Sequence, residues 1–323
     1  MVEPESLLEV AEASLKHWLL DAESIQVVSQ SENIVFKVVT LDQRAYALRL
    51  HRPGYHTLQE LESEQTWIHA LDTFGLQVPR SLKSVQSSHF PAVDCGATTR
   101  YAGLINWFDG VPLIKLSEQR QALINPMAFL GETCARMHNQ ASQWQAPADF
   151  ARPQLDIDGF FGCNPFWGKF WEVPDLTTKQ KNQFLLIREK LITLLSQYGK
   201  PIDTFSMIHA DMHEGNVMVS TDDFLLIDFD DAGFGWHQYD LAVVLFNHAE
   251  SDSYESLKDT LIKSYRKTRD FSDEDFALLP YFILIRALVT VSWLHFRPEH
   301  HQPGLVANFI SRALRMASRL SLI

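Results

Sequence analysis

Apolar residues recur at helical spacing over the first twenty positions, where Leu7, Leu8, Ala11, Leu15, Trp18 and Leu19 share a face and Pro4 stands near the start, where proline is tolerated. A helix over Pro4–Leu20 is therefore predicted. The pattern then shortens. Asn33–Thr40 (NIVFKVVT) and Arg44–His51 (RAYALRLH) are β-branched or alternating, and the polar link Asp42-Gln43 joins them as a hairpin. Thr57–Phe74 returns to helical spacing and is closed by Gly75, with Val78-Pro79 beyond it. A further β segment, Leu104–Phe108, ends at the turn signal Asp109-Gly110.

Downstream the period is mostly helical: Gln121–Ala141, Thr177–Tyr198, Tyr254–Lys267, Asp273–Phe296 and Pro303–Leu320. The exception is Phe205–Asp231, where short apolar runs flank a polar loop. The chain thus divides into a β-rich part, residues 1–107, and a mainly helical part, residues 108–323, which is an α+β organisation. No internal repeat or low-complexity tract interrupts it. The run from Phe276 to Phe296 is long enough to cross a bilayer, but Pro280, Arg286 and His295 fall inside it. A charge at the centre of a lone span is costly, so the run reads as a core helix and no membrane partner is expected.

Composition narrows the function. With 28 basic and 40 acidic side chains among 323 residues, the net charge is −12, and no long basic run offers a surface for nucleic acid. The three cysteines, Cys95, Cys134 and Cys163, are widely spaced, which argues against a disulfide framework or a structural zinc site. The acidic N-terminus carries no secretory signal pattern, and a cytoplasmic protein is expected.

The chemistry concentrates in Met207–Asp231 (MIHADMHEGNVMVSTDDFLLIDFDD). An apolar run ends in His209-Ala210-Asp211; a loop with Gly215 leads to Asn216; Thr221-Asp222-Asp223 turns the chain, and Phe224–Ile227 ends at Asp228. Asp211, Asn216 and Asp228 are hard oxygen donors suited to Mg²⁺. The spacing His209-x-Asp211-x-x-x-x-Asn216, followed by Asp228-Phe229, matches the protein-kinase catalytic loop and its metal-binding aspartate. The wording of the whole segment resembles the aminoglycoside phosphotransferase and choline kinase family, and within it the homoserine-kinase-like and bacterial stress-response kinase branch.

That resemblance implies a two-lobed protein-kinase-like fold, with a small β-rich N-lobe, a larger helical C-lobe and ATP between them. It implies Asp211 as the group that orients the attacking hydroxyl and accepts its proton, with Asn216 and Asp228 on Mg²⁺. His209 would brace the loop and Asp240 would be structural. Asp230 is either a third acid near the metals or a cap.

The N-terminal part supplies the nucleotide side of the expectation. On Tyr46-Ala47-Leu48-Arg49-Leu50, Ala47 and Arg49 share one face, which suits an adenine ring beside a phosphate, with arginine in the slot where kinases carry lysine. Leu61, Glu64, Ile68 and Leu71 lie on one helical stripe, so a carboxylate on the inward face needs a partner, and Arg49 is the natural one. Glu60 is the second choice. The polar segment Ser29-Gln30-Ser31-Glu32-Asn33, with Ser31 and Asn33, sits where the resemblance places a phosphate-covering loop, and Leu104–Gly110, with Asn106 and Trp107, resembles the adenine-binding hinge. For the acceptor, the aromatic-rich Phe160–Glu172 with Glu172, Trp236 and Trp293 suits a cationic amine as well as it suits core packing. The predicted activity is Mg-ATP-dependent phosphorylation of a hydroxyl on a small amine-bearing metabolite. Three rivals stand beside it: Ser/Thr protein phosphorylation, a hydrolase metal centre at His209, Asp211 and His213, and nucleotide binding without catalysis. The pair His300-His301 reads as a solvated loop.

Overall fold

A computed structural model of the chain describes residues 4–30, 33–96, 98–118, 126–221, 223–297 and 302–323; Ser31, Asp222, His300 and His301 lie outside the described residues. The chain forms two compact units: the first comprises residues 1–111, 145–151 and 218–227, the second 112–144, 152–217 and 228–323. A single cut at residue 107 misses the two later segments of the first unit. They return because Gln59 Nε2 donates to the Asp149 carbonyl at 2.8 Å, Ser63 Oγ accepts from the Ala151 amide at 2.9 Å, and the Leu226 amide bonds the Gln77 carbonyl at 3.1 Å.

The first unit is built on a five-stranded antiparallel sheet in the order β1-β2-β3-β5-β4, with β1 (Ala22–Gln30), β2 (Ile34–Thr40), β3 (Ala45–Leu50), β4 (Ala92–Asp94) and β5 (Thr99–Asn106). In β2 and β3 burial alternates strictly, so Ile34, Phe36, Val38, Tyr46, Leu48 and Leu50 point to one face. Helix α1 (Pro4–Leu15) lays Leu7, Ala11 and Leu15 against that face and closes the core. The predicted hairpin is present. The Thr40 amide bonds the Arg44 carbonyl at 2.9 Å and Gln43 takes a φ of 64°, a left-handed turn position that polar residues tolerate better than branched ones. Helix α2 (Leu58–Thr73) starts at a Thr57–Glu60 capping box, which commits Glu60 to the helix end. A smaller sheet orders β10 (Phe224–Leu226), β9 (Val217–Val219) and β6 (Val111–Pro112).

The second unit is helical around a short sheet in which β11 (Gly233–Trp236) runs parallel to β7 (Gln154–Leu155) and antiparallel to β8 (Phe205–Ile208). Its helices are α3 (Leu113–Glu118), α4 (Pro126–Gln143), α5 (Ile157–Phe161), α6 (Thr178–Tyr198), α7 (His237–Phe246), α8 (Tyr254–Thr268), α9 (Asp273–Ala277), α10 (Leu279–His295) and α11 (Leu305–Arg319). α4 and α8 pack closely enough that a Cβ on Gly131 would lie 2.4 Å from the Leu261 carbonyl oxygen. The predicted single helix over Asp273–Phe296 is two. Ser272 caps α9 through a capping box, Leu278 ends it, and Pro280 opens α10, where its missing N–H is harmless. The segment Asp273–His295 is long and apolar enough to span a membrane, yet most of it is buried inside this unit, with Phe282, Leu284, Ile285, Ala287 and Leu288 fully enclosed.

Candidate active site

Strand β8 ends at Ile208, and the backbone takes an unusual turn two residues later. Ala210 has a φ of 64°, a conformation that costs a residue with a Cβ about 1–2 kcal/mol. What holds it is Asp240, near the start of α7. Its carboxylate accepts the Ala210 amide at 2.6 Å, the His209 amide at 3.0 Å and the His138 Nε2 hydrogen at 3.1 Å. All four residues are fully buried. Burial pushes the Asp240 carboxyl up to about 6, against the pull of His209 and the two amides. His138 is driven well below its usual range by burial, so it is a neutral ring, and its Nδ1 pairs with the Tyr265 hydroxyl at 2.8 Å. His209 packs on Phe229 with ring centroids 4.6 Å apart, and its Nδ1 accepts the Asp211 amide at 3.3 Å.

This bracing presents Asp211. One carboxylate oxygen, Oδ1, accepts from Arg286 Nη2 at 2.6 Å; the other, Oδ2, accepts from Asn216 Nδ2 at 3.0 Å and faces His213 Nε2 at 3.5 Å. Asn216 Nδ2 also reaches the Asp211 carbonyl at 2.9 Å, so the amide nitrogen is turned to Asp211 and its carbonyl oxygen away from it. Burial alone would raise the Asp211 carboxyl, but the Arg286 guanidinium, then His213 and His209, hold it well below the usual carboxylate range. It is a carboxylate at every working pH.

Beyond β10, Asp228 takes a φ of 66°, the second strained non-glycine corner in this block. The loop that follows is gripped from behind by buried Arg152, which donates to three carbonyls: Ala232 at 2.7 Å, Phe229 at 3.0 Å and Asp230 at 2.6 Å. Asp231 receives Trp167 Nε1 at 3.3 Å. Neither Arg152 nor Arg286 was singled out by the sequence motifs, because each acts across 75 or more positions of chain. Arg286 registered there only as a charge unsuited to a bilayer.

The remaining predicted residues lie on elements of both units. Arg49 is half-buried on β3, opposite Val35 and Gly103, with Ala47 on the same face opposite Lys37 and Ile105. Glu64 is 4% exposed on the inward stripe of α2, beside Leu61, Ile68 and Leu71. Glu62 is turned elsewhere, to Ser88 Oγ and the His89 amide at 3.3 Å. Asn33 Oδ1 accepts the Arg52 amide at 2.9 Å. At the hinge-like segment, Asn106 is exposed and the Trp107 amide is committed to the Ala45 carbonyl at 3.0 Å, while Lys37 lies over the Trp107 ring at 4.6 Å.

Two expectations are corrected. Trp236 is fully buried against Phe160, Phe205 and Phe282, with its Nε1 donating to the Gly199 carbonyl, so it is core and offers no face to an acceptor. The hydrolase centre at His209, Asp211 and His213 lacks a ligand set: His209 is enclosed, its Nδ1 is taken, and no group of three His, Cys, Asp or Glu side chains able to hold a metal occurs among the described residues. Asp230 is 8% exposed and its carbonyl belongs to the Arg152 grip. Glu172 is exposed beside Lys169 at 3.3 Å, and Trp293 is half-buried under Arg297 at 4.4 Å.

These features define a protein-kinase-like phosphotransferase, and comparison with known proteins agrees. The family model for the phosphotransferase enzyme family, APH, matches residues 24–275; the chain belongs to this family. Among curated relatives, the amicoumacin kinase of Bacillus subtilis is 22% identical over 299 residues, 88% of this chain and 84% of its own. Stress response kinase A of Escherichia coli K12 is 22% identical over 287 residues, 88% and 81% of the two chains. Among solved structures, a microcompartment-associated aminopropanol kinase superposes with a TM-score of 0.83 at 25% identity, covering 96% of this chain and 95% of its own. An amicoumacin kinase in complex with AMP-PNP and Ca²⁺ shares the fold, with a TM-score of 0.77, 18% identity, and coverage of 96% and 93%.

Proposed function

We propose that the chain transfers the γ-phosphoryl group of ATP to the hydroxyl of a small amine-bearing metabolite, with amino alcohols as the leading acceptor class. The observation that carries this reading is the Asp211 carboxylate, held ionised on a strained, fully braced loop with donors on both of its oxygens. Family membership and the resemblance to an aminopropanol kinase support the acceptor class.

Asp211 receives the acceptor hydroxyl and takes its proton as the new O–P bond forms and the bond to ADP breaks. Its low basicity is no obstacle, because phosphoryl transfer proceeds through a loose transition state in which orientation outweighs proton abstraction. Asn216, whose amide oxygen is turned away from Asp211, and Asp228 are the residues that would hold Mg²⁺. Two protein oxygens fit this ion, which normally keeps waters and substrate phosphates as its other ligands. Bound Mg²⁺ would neutralise charge on the phosphates. Arg49, beside the small Ala47, is assigned to the nucleotide phosphates, and Glu64 to holding Arg49, which accounts for a carboxylate buried on an apolar stripe. Asn33 and the Asn106-Trp107 segment are assigned to the nucleotide as well. Glu172 and Trp293 remain candidates for the amine end of the acceptor, and Asp230 for its neighbourhood.

The similarity to stress response kinase A supports a second reading, phosphorylation of Ser or Thr on proteins. A screen with Mg-ATP, following ADP release and the ³¹P spectrum, decides between them. Phosphate-ester formation on 1-amino-2-propanol, ethanolamine, choline, homoserine or an aminoglycoside supports the first reading. Labelling of a generic protein substrate, with all small acceptors inert, supports the second.

A further inference from the structure

The roles assigned above leave unused the charge beside Asp211, that of Arg286, whose side chain is 18% exposed. Arg286 lies in the middle of α10 between Ile285 and Ala287, both fully buried, on a helix whose buried residues are apolar except for Ser292. A charge there is costly unless paired, and a well-packed apolar residue generally stabilises such a position as well as a buried ion pair does. A purely architectural need would therefore be met more simply by leucine or methionine. What arginine adds is a donor on Asp211 Oδ1 at 2.6 Å, delivered from an element 75 positions away, with Tyr239 and Asp231 as its other electrostatic neighbours.

The geometry of that contact is specific. The terminal torsion of an aspartate is soft, with broad minima, so a carboxylate held on one oxygen still rocks. Asn216 Nδ2 holds Oδ2 at 3.0 Å from the loop itself. Arg286 holds the opposite oxygen from the helix bundle. Two donors from independent elements fix the plane of the carboxylate, which neither does alone.

We infer that Arg286 is a positioning residue for phosphoryl transfer, setting the plane of the Asp211 carboxylate and hence the line along which it receives the acceptor hydroxyl. The inference rests on Asp211 being the group that orients the acceptor. Arg286 then acts on turnover and leaves nucleotide binding alone, since it touches Asp211 and neither Asn216 nor Asp228 among the contacts described. A rigid scaffold pays off here because misplacement by about 1 Å costs on the order of 100-fold in rate.

The test uses the full chain with Mg-ATP and two probes, 1-amino-2-propanol as acceptor and water as acceptor in slow ATP hydrolysis. Arg286→Met, Asp211→Asn and the double variant are compared with wild type for kcat, for KM of Mg-ATP and for the Kd of Mg-ADP. The expected result is a kcat loss of about 100-fold for Arg286→Met, with KM and Kd changed by less than about twofold, and with the double variant no slower than Asp211→Asn. Arg286→Lys, which returns a cationic donor, should recover at least about tenfold of the loss. If Arg286→Met does not fold, Arg286→Gln decides on the same numbers. A kcat within about threefold of wild type, or losses that multiply in the double variant, overturns the inference. Undiminished turnover in Asp211→Asn overturns the reading of Asp211 itself, a separate outcome.

Discussion

The anchor of the loop that carries Asp211 can be tested through Asp240→Ala. The perturbation leaves three buried donors without an acceptor: the His209 amide, the Ala210 amide and His138 Nε2. Each buried unsatisfied donor costs about 1–3 kcal/mol, so the loss is about 6 kcal/mol at mid-range. Against this, the variant removes a buried charge. A carboxyl raised from 3.8 to about 6 disfavours the folded state by about 3 kcal/mol at neutral pH, because the unfolded chain ionises it more easily. The net expectation is a destabilisation of about 3 kcal/mol at pH 7.5 in urea unfolding, with the strained Ala210 corner released and turnover lost with it. The sign of the pH dependence follows from the raised value. Asp240 in the wild type weakens the fold as pH climbs through about 6, and lowering the pH to about 5 returns roughly 1 kcal/mol that the alanine variant cannot recover. The gap between wild type and variant should therefore widen from about 3 to about 4 kcal/mol on acidification. A destabilisation below about 1 kcal/mol, or a gap that narrows toward pH 5, would refute the idea that Asp240 is a charged anchor for the loop.

Three further outcomes are expected. Arg152→Met removes the donor from the three carbonyls behind Asp228 and should raise the Mg²⁺ concentration for half-maximal activity by about tenfold, measured in a metal titration at saturating ATP. Gly131→Ala drives a methyl to within 2.4 Å of the Leu261 carbonyl oxygen and should cost about 1–3 kcal/mol in urea unfolding while the Kd of Mg-ADP stays constant. Thr57→Ala opens the capping box of α2 and should cost about 1 kcal/mol in the same assay, a value that Thr57→Ser restores.

Some of this fold is legible in the sequence and some is hidden, for physical reasons. The α6 and α8 patterns are readable nearly to the residue because each helix has one wet face and one dry face, so the apolar period is clean. The β2–β3 hairpin is readable for the same reason at period two. Strand β1 is not: most of its residues are exposed, and an edge strand without a buried face carries no alternation to read. Helix α7 is missed for the opposite cause, since all ten of its residues are buried, the polar His237, Gln238 and Asp240 included, and no wet face marks a helical period. The kinase-like loop is visible because its residues are close in sequence. Arg286 and Arg152 belong to that site only through the tertiary fold, and no local pattern could have assigned them.

The central claim is that Asp211 faces the acceptor while Asn216 and Asp228 hold the metal. A crystal structure of the chain with Mg²⁺ and a non-hydrolysable ATP analogue tests it most directly. The account predicts Mg²⁺ bound at about 2.1 Å to the Asn216 amide oxygen and to an Asp228 carboxylate oxygen, with Asp211 still on Arg286 and clear of the metal. A nucleotide-bound Mg²⁺ that touches neither Asn216 nor Asp228 would contradict it.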